Sequence, residues 1–221
     1  SRGDEPEDAT GLATVDFHGA RQAGVSTPAQ AHLTLIAFDL RGGVDREALT
    51  RLMHIWTIDA ARLTAGEPGL VDTEPELAQV PASLTLTVGL GPGFFTAADR
   101  EAEKPSWLAP LPEFGIDRLE PRWTGGDLVL QVCADDPITV AHAVRVMSKE
   151  ARSFTTIRWV QHGFRNSPGS TPPGTTMRNL FGQIDGTVNP DPAVEEELIW
   201  YLEDTEPSWL AGATSMVVRR I

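Results

Sequence analysis

The sequence predicts an α+β domain of the ferredoxin-like type, a βαββαβ chain whose antiparallel sheet carries its helices on one face. Two observations carry this. Four β-type runs and two segments of helical period follow one another in the order strand, helix, strand, strand, helix, strand. The 221 residues, 41% hydrophobic and 22% charged, are also enough to bury a real core.

The first run, AHLTLIAFDL (31–40), is continuously apolar and bounded by Pro28 and Gly42-Gly43, the pattern of a buried strand. Asp45 then offers an N-cap. Leu49, Leu52, Met53, Trp56, Ala60 and Leu63 recur at three- and four-residue steps, giving a helix stopped by Gly66 and Pro68. ASLTLTVGLG (82–91) alternates Leu84, Leu86 and Val88 with Thr85 and Thr87, as a half-buried strand does. DLVLQVCA (127–134) reads as the third strand. Asp136-Pro137 supplies an N-cap followed by Pro at the first helical position, and Val140, Val144, Met147 and Ala151 form the inward face of the second helix. FTTIRWVQHGF (154–164), rich in β-formers, closes the unit.

The connections carry further expectations. Residues 91–126 are too long for an ordinary hairpin and are expected to cover a sheet edge or line a site. Residues 1–16, polar and acidic up to Phe17, read as a flexible leader, either left by a removed export signal or cut at that point. EEELIWYLED is ambiguous between helix and strand. ATSMVVRRI (213–221) reads as the opening strand of a second domain whose remainder is absent. The division is therefore 1–16 leader, 17–176 first ferredoxin-like domain, and 177–221 a loop followed by the start of a second ferredoxin-like domain.

Composition excludes several classes. A net charge of -13 opposes binding to the nucleic-acid backbone, which needs clustered Lys and Arg. The same charge disfavours docking on an anionic membrane face, and no run of 18 apolar residues offers a transmembrane helix. Cys133, the single cysteine, rules out an internal disulfide and multi-thiolate metal sites, and its strand context makes it a buried, inert residue.

Chemistry concentrates in FGQIDGTVNP (181–190), where Asp185 stands before Gly186 among turn-forming residues. Taken alone, this is a tight turn. Gly182-Gln183-Ile184-Asp185-Gly186, however, resembles the GxxDG motif of the dye-decolorizing peroxidases, haem enzymes of two ferredoxin-like domains. HGARQAGVSTPAQAHLTLIAFDL resembles the start of that family's exported branch. The resemblance runs from Phe17 to Ile221. It implies haem b as cofactor, hydrogen peroxide as oxidant, and dyes or phenolics as bulky reductants. It further implies that Asp185, on the distal side of the haem, takes a proton from one oxygen of the peroxide and returns it to the other. Such acid–base help contributes roughly 10²–10⁴ in rate. Gly186, Thr187 and Val188 would let the backbone pass close over the porphyrin edge, and Asn189-Pro190 would hold the exit of the loop.

The resemblance also implies a proximal histidine and a distal arginine beyond Ile221, hence a second-domain polypeptide as partner, and an exported location in the cell envelope or outside it. Self-association into a homo-oligomer is left open. His32, His54 and His142 read as packed or surface residues, and His18 sits in the leader-like start; His162, at the end of the fourth strand, has a small claim as a ligand. Arg178 is a candidate for a haem propionate or for anchoring the turn, and Arg219 and Arg220 do not stand in for the missing arginine. The resemblance also makes Trp107, Trp123, Trp200 and Trp209 candidates for relaying electrons from bulky dyes at the surface, but packing explains tryptophans more often. Two other functions stay open beside the peroxidase: an exported haem-handling or iron-releasing protein, and a non-catalytic ferredoxin-like module.

Overall fold

A computed structural model describes residues 10–202 and 204–219. Strands β1 (His32–Leu40), β2 (Thr85–Leu90), β3 (Leu128–Ala134) and β4 (Thr155–Phe164) form one sheet in the order β2-β3-β1-β4, and every neighbouring pair is antiparallel. Helices α1 (Arg46–Thr64) and α3 (Pro137–Ala151) are the two expected, and a short α2 (Pro92–Ala97) follows β2. This is the ferredoxin-like arrangement.

Both long helices start where the sequence predicts. The Asp45 carboxylate accepts the Ala48 N–H at 2.9 Å, and the Asp136 carboxylate accepts the Thr139 N–H at 2.8 Å, each satisfying a donor that the first helical turn leaves unpaired. α1 ends before Gly66, whose φ of +79° breaks the helical path.

The ladder register sorts the sheet into two faces. Thr34, Ile36 and Phe38 lie opposite Val132, Leu130 and Leu128, which lie opposite Leu86, Val88 and Leu90. Most of this face packs on α1 and α3. Phe38 meets Trp56 with ring centroids 5.8 Å apart, and the buried Trp56 Nε1–H donates to the Met147 carbonyl at 3.0 Å. Each large apolar side chain buried in this way contributes about 1.5–3 kcal/mol.

The opposite face carries Leu33, Leu35 and Ala37 beside Cys133, Gln131 and Val129, with Thr85, Thr87 and Gly89 on the flank. Irregular chain covers part of it. Gln22 uses both ends of its side-chain amide on the outer edge of β2, donating to the Val88 carbonyl at 3.0 Å and accepting the Val88 N–H at 2.9 Å, which blunts an open edge strand. The Ala23 carbonyl accepts from Thr87 Oγ1 and the Gly24 carbonyl from Gln131 Nε2. A Cβ on Gly24 would lie 2.2 Å from Thr87 Oγ1, so only glycine fits there.

Three expectations change. β2 begins at Thr85 rather than at residue 82, because Ala82 and Ser83 adopt φ of 44° and 58° and give their N–H groups to the Gly11 and Ala13 carbonyls. Part of the expected leader is thereby held against the domain; its residues 1–9 lie outside those described. Residues 213–219 of the expected closing strand pair with no described strand, and residues 220 and 221 lie outside the described residues. A strand needs a neighbour to take its backbone hydrogen bonds, and no described strand offers one to this run. Among its described residues, the ambiguous EEELIWYLED forms a 3₁₀ turn, Glu196–Leu198.

The long connection reaches the edge strand β4, where the Trp159 Nε1–H donates to the Gly125 carbonyl at 2.9 Å, and it packs on the segment near residues 201–219. Phe95 of α2 is buried and packs on Trp209, whose Nε1–H donates to the Glu103 carbonyl at 3.1 Å. Trp107 stacks on Tyr201 with centroids 5.7 Å apart. Arg219 pairs with Asp117 and lies over the Phe114 ring. Arg21 reaches Glu196 and the Trp200 ring. The tryptophans named at 107, 200 and 209 are thus engaged in packing contacts. Cys133 is buried and free, and burial raises its thiol pKa to about 11, consistent with an inert residue.

Acids strap the 69–74 loop to the two helices. Asp59, fully buried on α1, accepts the Leu70 N–H at 3.0 Å on each oxygen. Asp72 and His142 are buried together, with Nε2 2.9 and 3.1 Å from the two carboxylate oxygens. Burial works against the charge of Asp72, but hydrogen bonds from the Glu74 N–H and from His142 outweigh it and hold its pKa below the ordinary value. Glu150 of α3 goes the other way: burial, then the hydrogen bond and charge of Asp59, push its pKa to about 9. The folded protein keeps this proton when the unfolded chain has lost it. The stabilisation is therefore complete below the ordinary value of 4.5 and fades as the pH climbs towards about 9. Urea midpoints are expected to fall from about pH 5 to about pH 9, and Glu150→Gln, which cannot ionise, to flatten that slope.

Candidate active site

The segment 177–186 closes on itself. Arg178 and Ile184 form an isolated antiparallel bridge, the Asn179 N–H donates to the Gln183 carbonyl at 2.9 Å, and the Asp185 N–H donates to the Met177 carbonyl at 3.0 Å. At the tip, the Gly182 N–H returns to the Asn179 carbonyl at 2.9 Å, with Gly182 at a φ of +78° that side chains resist. Asn179 organises the turn from inside. Its Oδ1 accepts the N–H groups of Phe181 at 3.0 Å and Gln183 at 3.1 Å.

Asp185 stands at the base of this turn with an exposed carboxylate that has no hydrogen-bond or ion-pair partner among the described residues. Its apolar neighbours are also turned outward: Leu180 is 88% exposed, Phe181 69%, Ile184 56% and Val188 93%. So many large apolar side chains around one loop form a patch of the kind that marks a binding surface. A free acid amid an apolar collar can hold or pass a proton beside a flat apolar group laid over the loop.

The expected site residues are therefore contiguous and exposed, with differences in detail. Gly186 has a φ of +85°, so the turn itself requires glycine there, whatever approaches the backbone. Thr187 and Val188 extend into solvent after it. The Arg178 guanidinium donates to the Gly182 carbonyl at 2.7 Å, which fits the turn-anchoring role. A cavity of about 260 Å³ at the root of the loop is lined by Pro28, Arg165, Asn166, Thr175 and Met177 among others, and does not include Asp185.

The loop carries exposed apolar side chains with a carboxylate beside them, which is the chemistry one face of a porphyrin would need. Iron ligation is a separate matter. His142 is tied to Asp72, and His162 Nδ1 lies 3.0 Å from Thr34 Oγ1 across the sheet, a structural engagement rather than a ligand's. Among the described residues no group of three or more His, Cys, Asp or Glu side chains could hold a metal ion, and no helix is long and apolar enough to cross a membrane. Sequence reasoning missed Asn179 and Gln22. Both belong to residue types that bond locally to backbone, and only the turn and edge geometry gives them their roles.

Asn179→Ala removes the acceptor of two backbone donors, each worth about 0.5–1.5 kcal/mol. Hydrogen exchange at Phe181 and Gln183 is expected to quicken by about fivefold or more, with the melting temperature nearly unchanged because the loop is exposed.

Comparison with known proteins gives two family matches along the chain: "Dyp-type peroxidase, N-terminal" over residues 22–165 and "Dyp-type peroxidase, C-terminal" over residues 176–221. A dye-decolorizing peroxidase of Thermobifida fusca is 39% identical over 219 residues, covering 94% of this chain and 51% of the relative. A deferrochelatase of Escherichia coli K12 is 33% identical over 221 residues, covering 93% of this chain and 52% of the relative. The crystal structure of a DyP-type peroxidase from Cellulomonas bogoriensis matches with a TM-score of 0.89 and 56% identity, over 92% of this chain and 56% of that one. The chain thus spans about half the length of the curated relatives it matches.

Proposed function

This chain belongs to the Dyp-type peroxidase family, and from that premise we propose that it forms the distal wall of a haem-dependent peroxidase that uses hydrogen peroxide to oxidise dyes, phenolics or similar bulky reductants. The observation that carries the reading is the unpartnered Asp185 carboxylate held on a closed turn within an apolar collar. Haem would supply the iron that binds peroxide and accepts its oxidising equivalents. Phe181, Ile184 and Val188 would lie against the ring, with Gly186 and Thr187 beside its edge, and would exclude water from that face. Asp185 Oδ would receive the proton of one peroxide oxygen and deliver it to the other, so that the departing oxygen leaves as water. The axial ligand and the opposite wall would come from sequence outside the described residues, in keeping with the half-length coverage of the relatives.

Haem b suits these 221 residues better than a covalently attached haem. Thioether attachment uses a pair of exposed cysteines, and the one cysteine here is buried in the sheet. Export to the cell envelope belongs to the same reading, supported by the resemblance of residues 18–40 to the exported branch. The deferrochelatase relative supports a second reading, in which the protein binds haem and releases its iron.

The test uses the full-length protein loaded with haem. A Soret band with peroxide-driven dye bleaching is expected, and Asp185→Asn is expected to keep the Soret band and lose about 10²–10⁴ in kcat/KM for peroxide. Bleaching unchanged in that variant would remove Asp185 from the chemistry. Iron-free porphyrin as the product would favour the second reading, and failure to bind haem would leave a non-catalytic module.

A further inference from the structure

Asp185-Gly186 is the single Asp-Gly step in the 221 residues, and it falls on the proposed acid. An aspartyl side chain is attacked by the next residue's amide nitrogen when three conditions meet: the carboxyl is free, the amide is free, and no Cβ blocks the approach. All three hold here. The Asp185 carboxyl has no partner, the Gly186 N–H donates to no described group, and residue 186 has no side chain. Both residues are exposed. The other acids that matter to the fold are tied down. Asp59, Asp72, Asp45 and Asp136 each accept a backbone N–H, and Asp127 accepts the Leu40 N–H at 2.8 Å.

The geometry points to Asp185 as a site of spontaneous isomerisation to isoaspartate. The Gly186 nitrogen bonds to Asp185 Cγ, and the side-chain hydroxyl leaves with the amide proton as water, giving a cyclic imide. Water then adds back. Opening at the main-chain carbonyl reroutes the chain through Cβ and Cγ and leaves a carboxylate on Cα. No atom is gained or lost overall, and no oxidant is needed. The turn conserves the rest of its hydrogen bonds up to the Asp185 N–H, so the lesion displaces the carboxylate without unfolding the domain. Its effect on peroxide turnover rests on the role proposed for Asp185; the chemical lesion does not.

The experiment incubates the full-length protein, haem-free and haem-loaded, at neutral pH and body temperature, and maps peptides by electron-transfer fragmentation, which separates isoaspartate from aspartate. Isoaspartate is expected to accumulate at position 185 well ahead of every other aspartate, and more slowly with haem bound. The Asp185→Asn variant is expected to lose its new side-chain amide through the same imide, gaining one mass unit there much faster than at Asn166 or Asn179. Isoaspartate at 185 in the haem-free protein no more abundant than elsewhere, or a side-chain amide at position 185 of the variant as durable as those of Asn166 and Asn179, overturns the proposal. Isoaspartate at 185 with undiminished bleaching upholds the lesion and removes the catalytic role instead.

Discussion

A sheet with helices on only one side has to find cover for the other, and this requirement shapes most of the molecule. α1 and α3 bury Ile36, Phe38, Leu130 and Val132, but Leu35, Ala37 and Cys133 point the opposite way and are nearly as buried. Irregular chain supplies cover where no helix is available. Gln22–Gly24 lie over Thr87 and Gln131, and Gly126 approaches Ala37 so closely that a Cβ on it would sit 3.1 Å from the alanine methyl. Backbone laid on a sheet brings unpaired polar groups with it. That is why the contacts on this side are side-chain amides and hydroxyls bonded to carbonyls rather than interdigitated aliphatics.

The same economy of local bonding holds the candidate site. Residues 177–186 place no large side chain in the core, and among the described residues it is mainly their own hydrogen bonds and the left-handed glycines that fix their shape. A loop of this kind presents a carboxylate in a defined place at little cost to the rest of the fold. It also leaves Leu180, Phe181 and Val188 largely uncovered among the described residues. The sheet is complete without this loop, whereas the loop presents a surface that asks for a ligand or for more protein.

The fold was legible in the sequence because its signals are local and redundant. Asp45 and Asp136 mark helix starts by a side-chain hydrogen bond that needs no tertiary partner, and the periodic residues of α1 and α3 are nearly the ones found buried. The start of β2 was not legible, since Leu84 continues the alternation while Ala82 and Ser83 turn into the left-handed region to meet the leader, a contact made across about 70 residues of sequence. Of the site, the motif gave the residues, and the resemblance, not periodicity, gave them a purpose. What the motif could not give was Asn179, whose role depends on two amides converging on one oxygen.

Environment, finally, divides the acids of this chain by task. Asp59 and the side chain of Asp72 are buried between the helices and the 69–74 loop, Glu150 is half-buried beside them, and each is perturbed or held by neighbours that it in turn holds in place. Strong perturbation often marks a functional site, but buried structural networks perturb acids just as strongly. Here the perturbed group Glu150 has its charge suppressed by burial and by Asp59, a state suited to joining two helices and not to trading protons with a small molecule. Asp185 differs in being unencumbered: nothing described accepts or donates to its oxygens, and apolar surface surrounds it. A covering group that excluded water would change the surroundings of this one carboxylate more than those of the acids already buried. The side chain with the least structural work is therefore the one whose chemistry a ligand can command.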